Sequence, residues 1–189
     1  MFLTLLDRFD DAKSDFDLAR KLAPESDTAY LAGAQEAMFE GNIEEAIRIA
    51  REGIAKGHEN FTLLTILGEA LLRSGIAPGQ KEFDEARQAL EKSVAERANY
   101  PGAQLALGKL DLLDNQTDNA VAHLETARQL GPENPSVYSN LAAAYRKQGD
   151  LPKAQSALAI LAKLNQAQAD RIRNAPGDRK ASYAEGKQK

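Results

Sequence analysis

The chain contains no cysteine and no tryptophan. Without cysteine there is no disulfide framework, no thiolate nucleophile and no cysteine-rich zinc site, and the redox compartment stays undetermined. Long apolar runs are also missing. The longest, residues 157–162, falls far short of the roughly 20 residues that span a bilayer, so no membrane span is expected. Residues 2–6 are apolar except for Thr4, but no basic stretch precedes them and Asp7 interrupts them, so they do not read as a signal peptide. An excess of basic charge is missing as well: the formal net charge is -4, and Lys and Arg form no stripe. That argues against a nucleic-acid footprint. Only two histidines are available as general bases, and aromatics amount to five Tyr and six Phe.

What the chain has in abundance is alanine, 33 of its 189 residues, with Leu, Glu, Lys, Arg and Gln, while Val, Ile and Thr are few. These are residues that keep rotamer freedom in a helix, so an all-α chain is expected. Sliding the sequence by 34 residues lays Pro101 on Pro135, Leu107 on Leu141, Gly108 on Ala142, Ala120 on Ala154 and Leu124 on Leu158. A period of this length with such residue types marks stacked helix-turn-helix units.

Taken in order, residues 9–22 carry an apolar face at Phe9, Ala12, Phe16 and Ala19 and stop at Pro24. Asp27 is then an N-cap candidate for a helix to about residue 39. Gly41 supplies the turn, and Asn42 with Glu45 has the spacing of a capping box opening a helix to about residue 55. A further helix is expected over 61–73, ending at Gly75. Here the register slips: Leu67 to Leu107 is 40 residues whereas Ala86 to Ala120 is 34, so six extra residues lie at 76–81. Their Pro78-Gly79 pair cannot continue a helix, and an enlarged loop is expected. Pro101 and Pro135 fall at helix starts, where the missing amide costs nothing, and Thr117 and Asp150 are cap candidates for the helices that follow. The units are therefore a partial repeat over 1–26, repeats over 27–60, 61–100 (with the insertion), 101–134 and 135–168, and a polar helix extension with a mobile tail over 169–189.

One face repeats slot by slot. Ala12, Ala46, Ala86, Ala120 and Ala154 share a position of the second helix, and Ala34, Gly68, Gly108 and Ala142 a position of the first. Small side chains there let two helix backbones approach, with Leu90, Leu124 and Leu158 filling the space beside the crossing.

On Tyr138, Leu141, Ala142, Tyr145, Gly149, Ala154 and Leu158 in the last repeat, and Leu107, Gly108, Ala120, Leu124, Ala127 and Pro132 in the one before, the chain resembles the tetratricopeptide repeat (TPR) family. The resemblance covers residues 9–168. Gly33 stands where the pattern has Leu, and Asp111 where it has Tyr or another large residue. The resemblance implies an α-solenoid of antiparallel helix pairs, a right-handed superhelix whose concave groove is lined by the first helices and binds an extended peptide or partner helix. Carried onto this sequence, the groove positions are Leu31, Gln35 and Met38, then Thr65, Glu69 and Leu72, then Leu105, Lys109 and Leu112, then Ser139, Asn140, Ala143 and Arg146. The family's terminal-carboxylate clamp is not expected, because only Asn140 matches one of its slots while Leu31, Gln35 and Ile66 occupy others.

No catalytic, cofactor or metal site is expected. His58 and His123 read as lone surface histidines, because a base must be oriented by a third group to make a site. Asp111, Asp114 and Asp118 lack the alternating ligands and central glycine of a calcium loop. The expected function is that of a protein-binding scaffold or adaptor. The alternative is a non-catalytic interaction module of a larger polypeptide, enzymatic or secreted. The partial first repeat would leave Phe2, Leu5, Phe9 and Phe16 facing a gap, so truncation of a longer array or self-association through that face is expected. Localisation follows from the same point, cytoplasmic for a natural start at Met1, periplasmic or secreted for a truncated chain.

Overall fold

The structure, a computed structural model, describes residue 23 and residues 25–174. The expected partial repeat, its open apolar face and the tail beyond Asn174 therefore lie outside the described residues, apart from Ala23, Glu25 and Ser26.

Among the described residues there are eight α-helices and no strand: α1 (Asp27–Glu40), α2 (Ile43–Ala55), α3 (Phe61–Arg73), α4 (Lys81–Glu96), α5 (Pro101–Leu113), α6 (Thr117–Leu130), α7 (Pro135–Gln148) and α8 (Leu151–Arg173). They form four hairpins, each helix packing on the next in sequence, and the first helices α1, α3, α5 and α7 also pack on one another in turn. Second helices make no comparable contact with each other. The first helices thus line the shorter, inner arc of a solenoid and the second helices its outer arc, as the family resemblance implies.

The turns within repeats share one device. Gly41 and Gly149 have φ near 81°, and Asn115 takes the same left-handed conformation at 56°. That conformation ends a helix and lets the chain reverse within two or three residues. In repeat 61–100 Gly75 plays this part, but the connection then runs over seven residues, 74–80, and α4 starts two residues earlier than the 34-residue frame places it. The insertion is not all surface. Ile76 is buried in the core among α1–α5 residues, while Pro78-Gly79 forms a turn closed by the Gln80 amide on the Ala77 carbonyl at 3.2 Å.

Helix starts differ in part from the sequence reading. Pro101, Pro135 and Asp150 stand as expected, the Asp150 carboxylate accepting from the Lys153 amide at 3.1 Å. At α1 the cap is Ser26, whose hydroxyl accepts from the Ala29 amide, and Asp27 is instead the first helical residue, bonded to His58. The capping box does not form: Asn42 turns its amide to Glu40, and Glu45 is held by Arg48. Thr117 is inside α6, behind Gln116.

The small-residue slots pack as their chemistry requires. Ala46, Ala86, Ala120 and Ala154 are buried. A Cβ on Gly68 would lie 2.4 Å from Leu90 Cγ, and one on Gly108 2.5 Å from Leu124 Cγ, so glycine is what admits each leucine into the crossing. Leu158 departs from this scheme. It is 45% exposed, on the outward side of α8, with no following repeat among the described residues to cover it.

Candidate binding groove

The inner-arc slots separate into two kinds once the helices are stacked. Thr65 and Leu105 are not groove residues in the structure, being only 3% and 6% exposed. Thr65 donates to the Phe61 carbonyl at 2.8 Å and shares a 2.8 Å hydrogen bond with Ser93 of α4, and Leu105 belongs to the core around α6 and α7. Their slot sits where successive first helices touch, so packing consumes it.

The slots one and two turns further along remain open. Met38 of α1, Glu69 and Leu72 of α3, Lys109 and Leu112 of α5 and Asn140 of α7 converge on a pocket of about 440 Å³. Arg73 and Leu113, which the sequence reading did not single out, complete its lining. The remaining expected positions lie outside it: Gln35, Ser139 and Arg146 are exposed, and Leu31 and Ala143 half-buried.

Arg73 and Leu113 end their first helices in equivalent slots, and Lys147 holds that slot in α7. Arg73 Nη1 donates to the Met38 carbonyl at 2.9 Å, and Lys147 Nζ to the Leu112 carbonyl at 2.9 Å and to Asn115 Oδ1 at 2.7 Å. Each cation thereby satisfies an end carbonyl of the preceding first helix, where the helix dipole favours positive charge. Leu113 cannot do this. Its side chain is left 47% exposed at the pocket, and the cation rung is interrupted there.

The single acid of the pocket, Glu69, faces two cations, Arg73 and Lys109. Burial pushes the Glu69 carboxyl above its ordinary range, with the charges of Lys109 and Arg73 pulling the other way. Burial, then the Glu69 charge, raises the Tyr100 phenol. A carboxyl whose pKa is raised by folding contributes stability that is complete below the unfolded value and is lost as pH rises through the folded one. Glu69→Gln is therefore expected to melt higher than the parent at neutral pH, with the gap closing as pH falls to the ordinary carboxylate range. Melting curves between pH 4 and pH 8 (on the order of the titration range of a carboxyl) check this, and a gap independent of pH would refute it.

The histidines are not lone. His58 bonds Asp27 and stacks on Tyr30 with ring centroids 5.1 Å apart, while His123 Nδ1 meets Gln104 Oε1 at 2.8 Å and its Nε2 lies 3.8 Å from Asp111. Asp111 and Asp114 do not gather toward a cation site, because both bind the Arg87 guanidinium, at 2.8 and 3.0 Å. Asp118 is a first-turn carboxylate of α6 and accepts from Gln148. No helix among the described residues is long and apolar enough to cross a membrane.

Comparison with known proteins agrees with this geometry. In solved structures the chain is similar to TTC0263, a thermophilic TPR protein of Thermus thermophilus, at 24% identity and a TM-score of 0.70 over 90% of this chain and 91% of that one. It is also similar to YrrB, a TPR protein with an unusual peptide-binding site (19%, TM-score 0.60, 86% and 81%), and to MamA (20%, TM-score 0.64, 88% and 94%). Among curated sequences it is 29% identical over 107 residues to the Arabidopsis thaliana tetratricopeptide repeat domain-containing protein PYG7, chloroplastic, a match covering 57% of this chain and 35% of that protein. The chain thus spans about a third of that relative's length. Tetratricopeptide repeat models match residues 31–104 and 111–175, and with the stacked hairpins and their glycine-leucine crossings they establish that the chain belongs to the tetratricopeptide repeat family.

Proposed function

We propose that this protein is a non-catalytic scaffold or adaptor that holds an extended peptide or a partner helix in its concave groove. Membership of the repeat family supports protein-protein interaction in general. The observation that carries the finer reading is the pocket to which all four first helices contribute, with Met38, Leu72, Leu112 and Leu113 as apolar wall and Glu69, Arg73, Lys109 and Asn140 as polar groups. An apolar lining with a few converging polar groups is the usual make-up of a ligand site.

The test replaces Gln35, Glu69 and Lys109 together by Ala, Gln and Met. Partners captured by the parent chain are expected to be lost or strongly weakened, with helicity by circular dichroism unchanged. Partners held equally well by both chains would show that binding occurs elsewhere.

A further inference from the structure

Resting on this reading of the groove, we infer that the pocket selects a ligand segment in which a bulky apolar side chain adjoins acidic residues, the apolar group lying among Leu72, Leu112 and Leu113 and the carboxylates facing Arg73, Lys109 and the C-terminal end of the groove.

The apolar half of the inference comes from the interrupted rung. In repeats 61–100 and 135–168 this slot at the end of the first helix holds a cation that reaches back across the groove edge to the preceding repeat, Arg73 to Met38 and Lys147 to Leu112. Leu113 in the same slot leaves this space without a side chain crossing it, and with Leu72 and Leu112 forms an apolar wall open to solvent. The volume of about 440 Å³ exceeds what a single methyl or methylene group would need. Covering the wall with an apolar side chain removes it from water, a gain that scales with the area covered.

The acidic half comes from the distribution of charge. Helices α3, α5 and α7 carry Arg73, Lys109, Arg146 and Lys147 against two acids, Glu69 and Asp111. Asp111 is turned away and neutralised by Arg87 of α4, so Glu69 alone opposes four cations along this stretch. In contrast α1 carries Asp27, Glu36 and Glu40 and no Lys or Arg. On a chain of net charge -4 the cations of the first helices thus gather on α3, α5 and α7. Arg73 commits one N–H to Met38, leaving others to donate, and Lys109 has no carboxylate within ion-pair distance among the described residues. A ligand carboxylate meets two such donors in a partly desolvated site, where charge-assisted hydrogen bonds are strongest. A ligand cation would meet one acid flanked by two like charges.

The test uses the full chain labelled with ¹⁵N and four peptides with acetylated and amidated ends, which removes terminal charge. They are Gly-Ser-Leu-Asp-Glu-Ser-Gly and its counterparts with Lys-Lys or Asn-Gln in place of Asp-Glu, or Ala in place of Leu. The acidic leucine peptide is expected to shift the amides of Glu69, Leu72, Arg73, Lys109, Leu112, Leu113 and Asn140, to bind at least about tenfold more tightly than the lysine peptide, and to weaken as salt is raised. Leu113→Lys, which restores the missing rung, is expected to abolish the preference for Leu over Ala, and Lys109→Met to reduce the preference for the acidic peptide severalfold. Equal affinity for the lysine or Asn-Gln peptide overturns the charge assignment, and equal affinity for the alanine peptide overturns the apolar anchor. If no peptide shifts these amides at millimolar concentration, the pocket proposal fails as a whole. The broader groove reading is judged separately, by whether the Gln35, Glu69 and Lys109 replacements release captured partners.

Discussion

Arg87→Met is expected to destabilise the fold by about 3–5 kcal/mol, the cost of stranding a buried charge, whereas Arg87→Met combined with Asp111→Leu should recover most or all of the loss. Asp111 is 1% exposed, and its Oδ1 receives the Arg87 guanidinium at 2.8 Å. Its Oδ2 has no hydrogen-bond partner among the described residues, and His123 Nε2 is 3.8 Å away, beyond a hydrogen bond. Losing Arg87 thus leaves a buried carboxylate without its counter-ion. The second substitution removes the charge and installs the side chain that the same slot already carries one repeat earlier, where Leu71 is fully buried. A buried ion pair replaced by apolar groups of similar volume is often neutral or stabilising. Asp114 also loses a partner, but it is partly exposed and its pairing is worth little. Urea unfolding of both variants decides the matter. A single variant within ~1 kcal/mol of the parent, the scale of an ordinary surface change, or a double variant no better than the single, would show that Asp111 is satisfied in some other way.

The second large effect is a coupling across the crossing of α5 and α6. Leu124→Ala is expected to cost about 2–5 kcal/mol, since a wholly buried leucine is cut back and a cavity remains. Gly108→Ala is also expected to destabilise. Its new Cβ would sit 2.5 Å from Leu124 Cγ, 2.8 Å from Cδ2 and 3.3 Å from the Ala120 carbonyl oxygen, overpacking that costs about 1–3 kcal/mol. The gain of roughly 1 kcal/mol from helix propensity is not enough to offset it. In the Leu124→Ala background the clash disappears and only the propensity gain is left, so Gly108→Ala should then be neutral or stabilising. The repeats themselves show this dependence: glycine stands at 68 and 108 opposite the buried Leu90 and Leu124, and alanine at 34 and 142 where the equivalent residues are the small Ala50 and the exposed Leu158. A four-member cycle of denaturant melts measures the coupling. Strict additivity would mean that Leu124 relaxes away from the new methyl without loss.

What the sequence alone determined is the part of the structure that every repeat shares. The 34-residue period, the breaks at Gly41, Gly75 and Gly149, the starts at Pro101 and Pro135 and the small residues at each crossing recur, so one physical requirement is written several times. A backbone reversal requires a left-handed residue, and close helix contact requires the absence of side-chain bulk; both are local or self-repeating conditions. Five of the pocket residues, Met38, Glu69, Leu72, Lys109 and Leu112, were reachable the same way, because they fall in two slots that recur from repeat to repeat, whereas Asn140 shares its slot with the buried Ala32, Ile66 and Ala106. Tertiary structure decided what belongs to one interface only. The pairing of Asp111 with Arg87 joins residues 24 apart, off the period, and in the sequence Asp111 looks only like a flaw in the pattern. Thr65 and Leu105 occupy inner-arc slots, yet are consumed where successive first helices meet. Ile76 lies in a segment that reads as loop and is buried, while Leu113 lies at the end of a helix like any other and opens the pocket because one cation is missing from the rung. Each of these depends on which particular side chains from two or three helices arrive at one point. Periodicity carries no information about that, because it records what the repeats have in common and specific contacts arise where they differ.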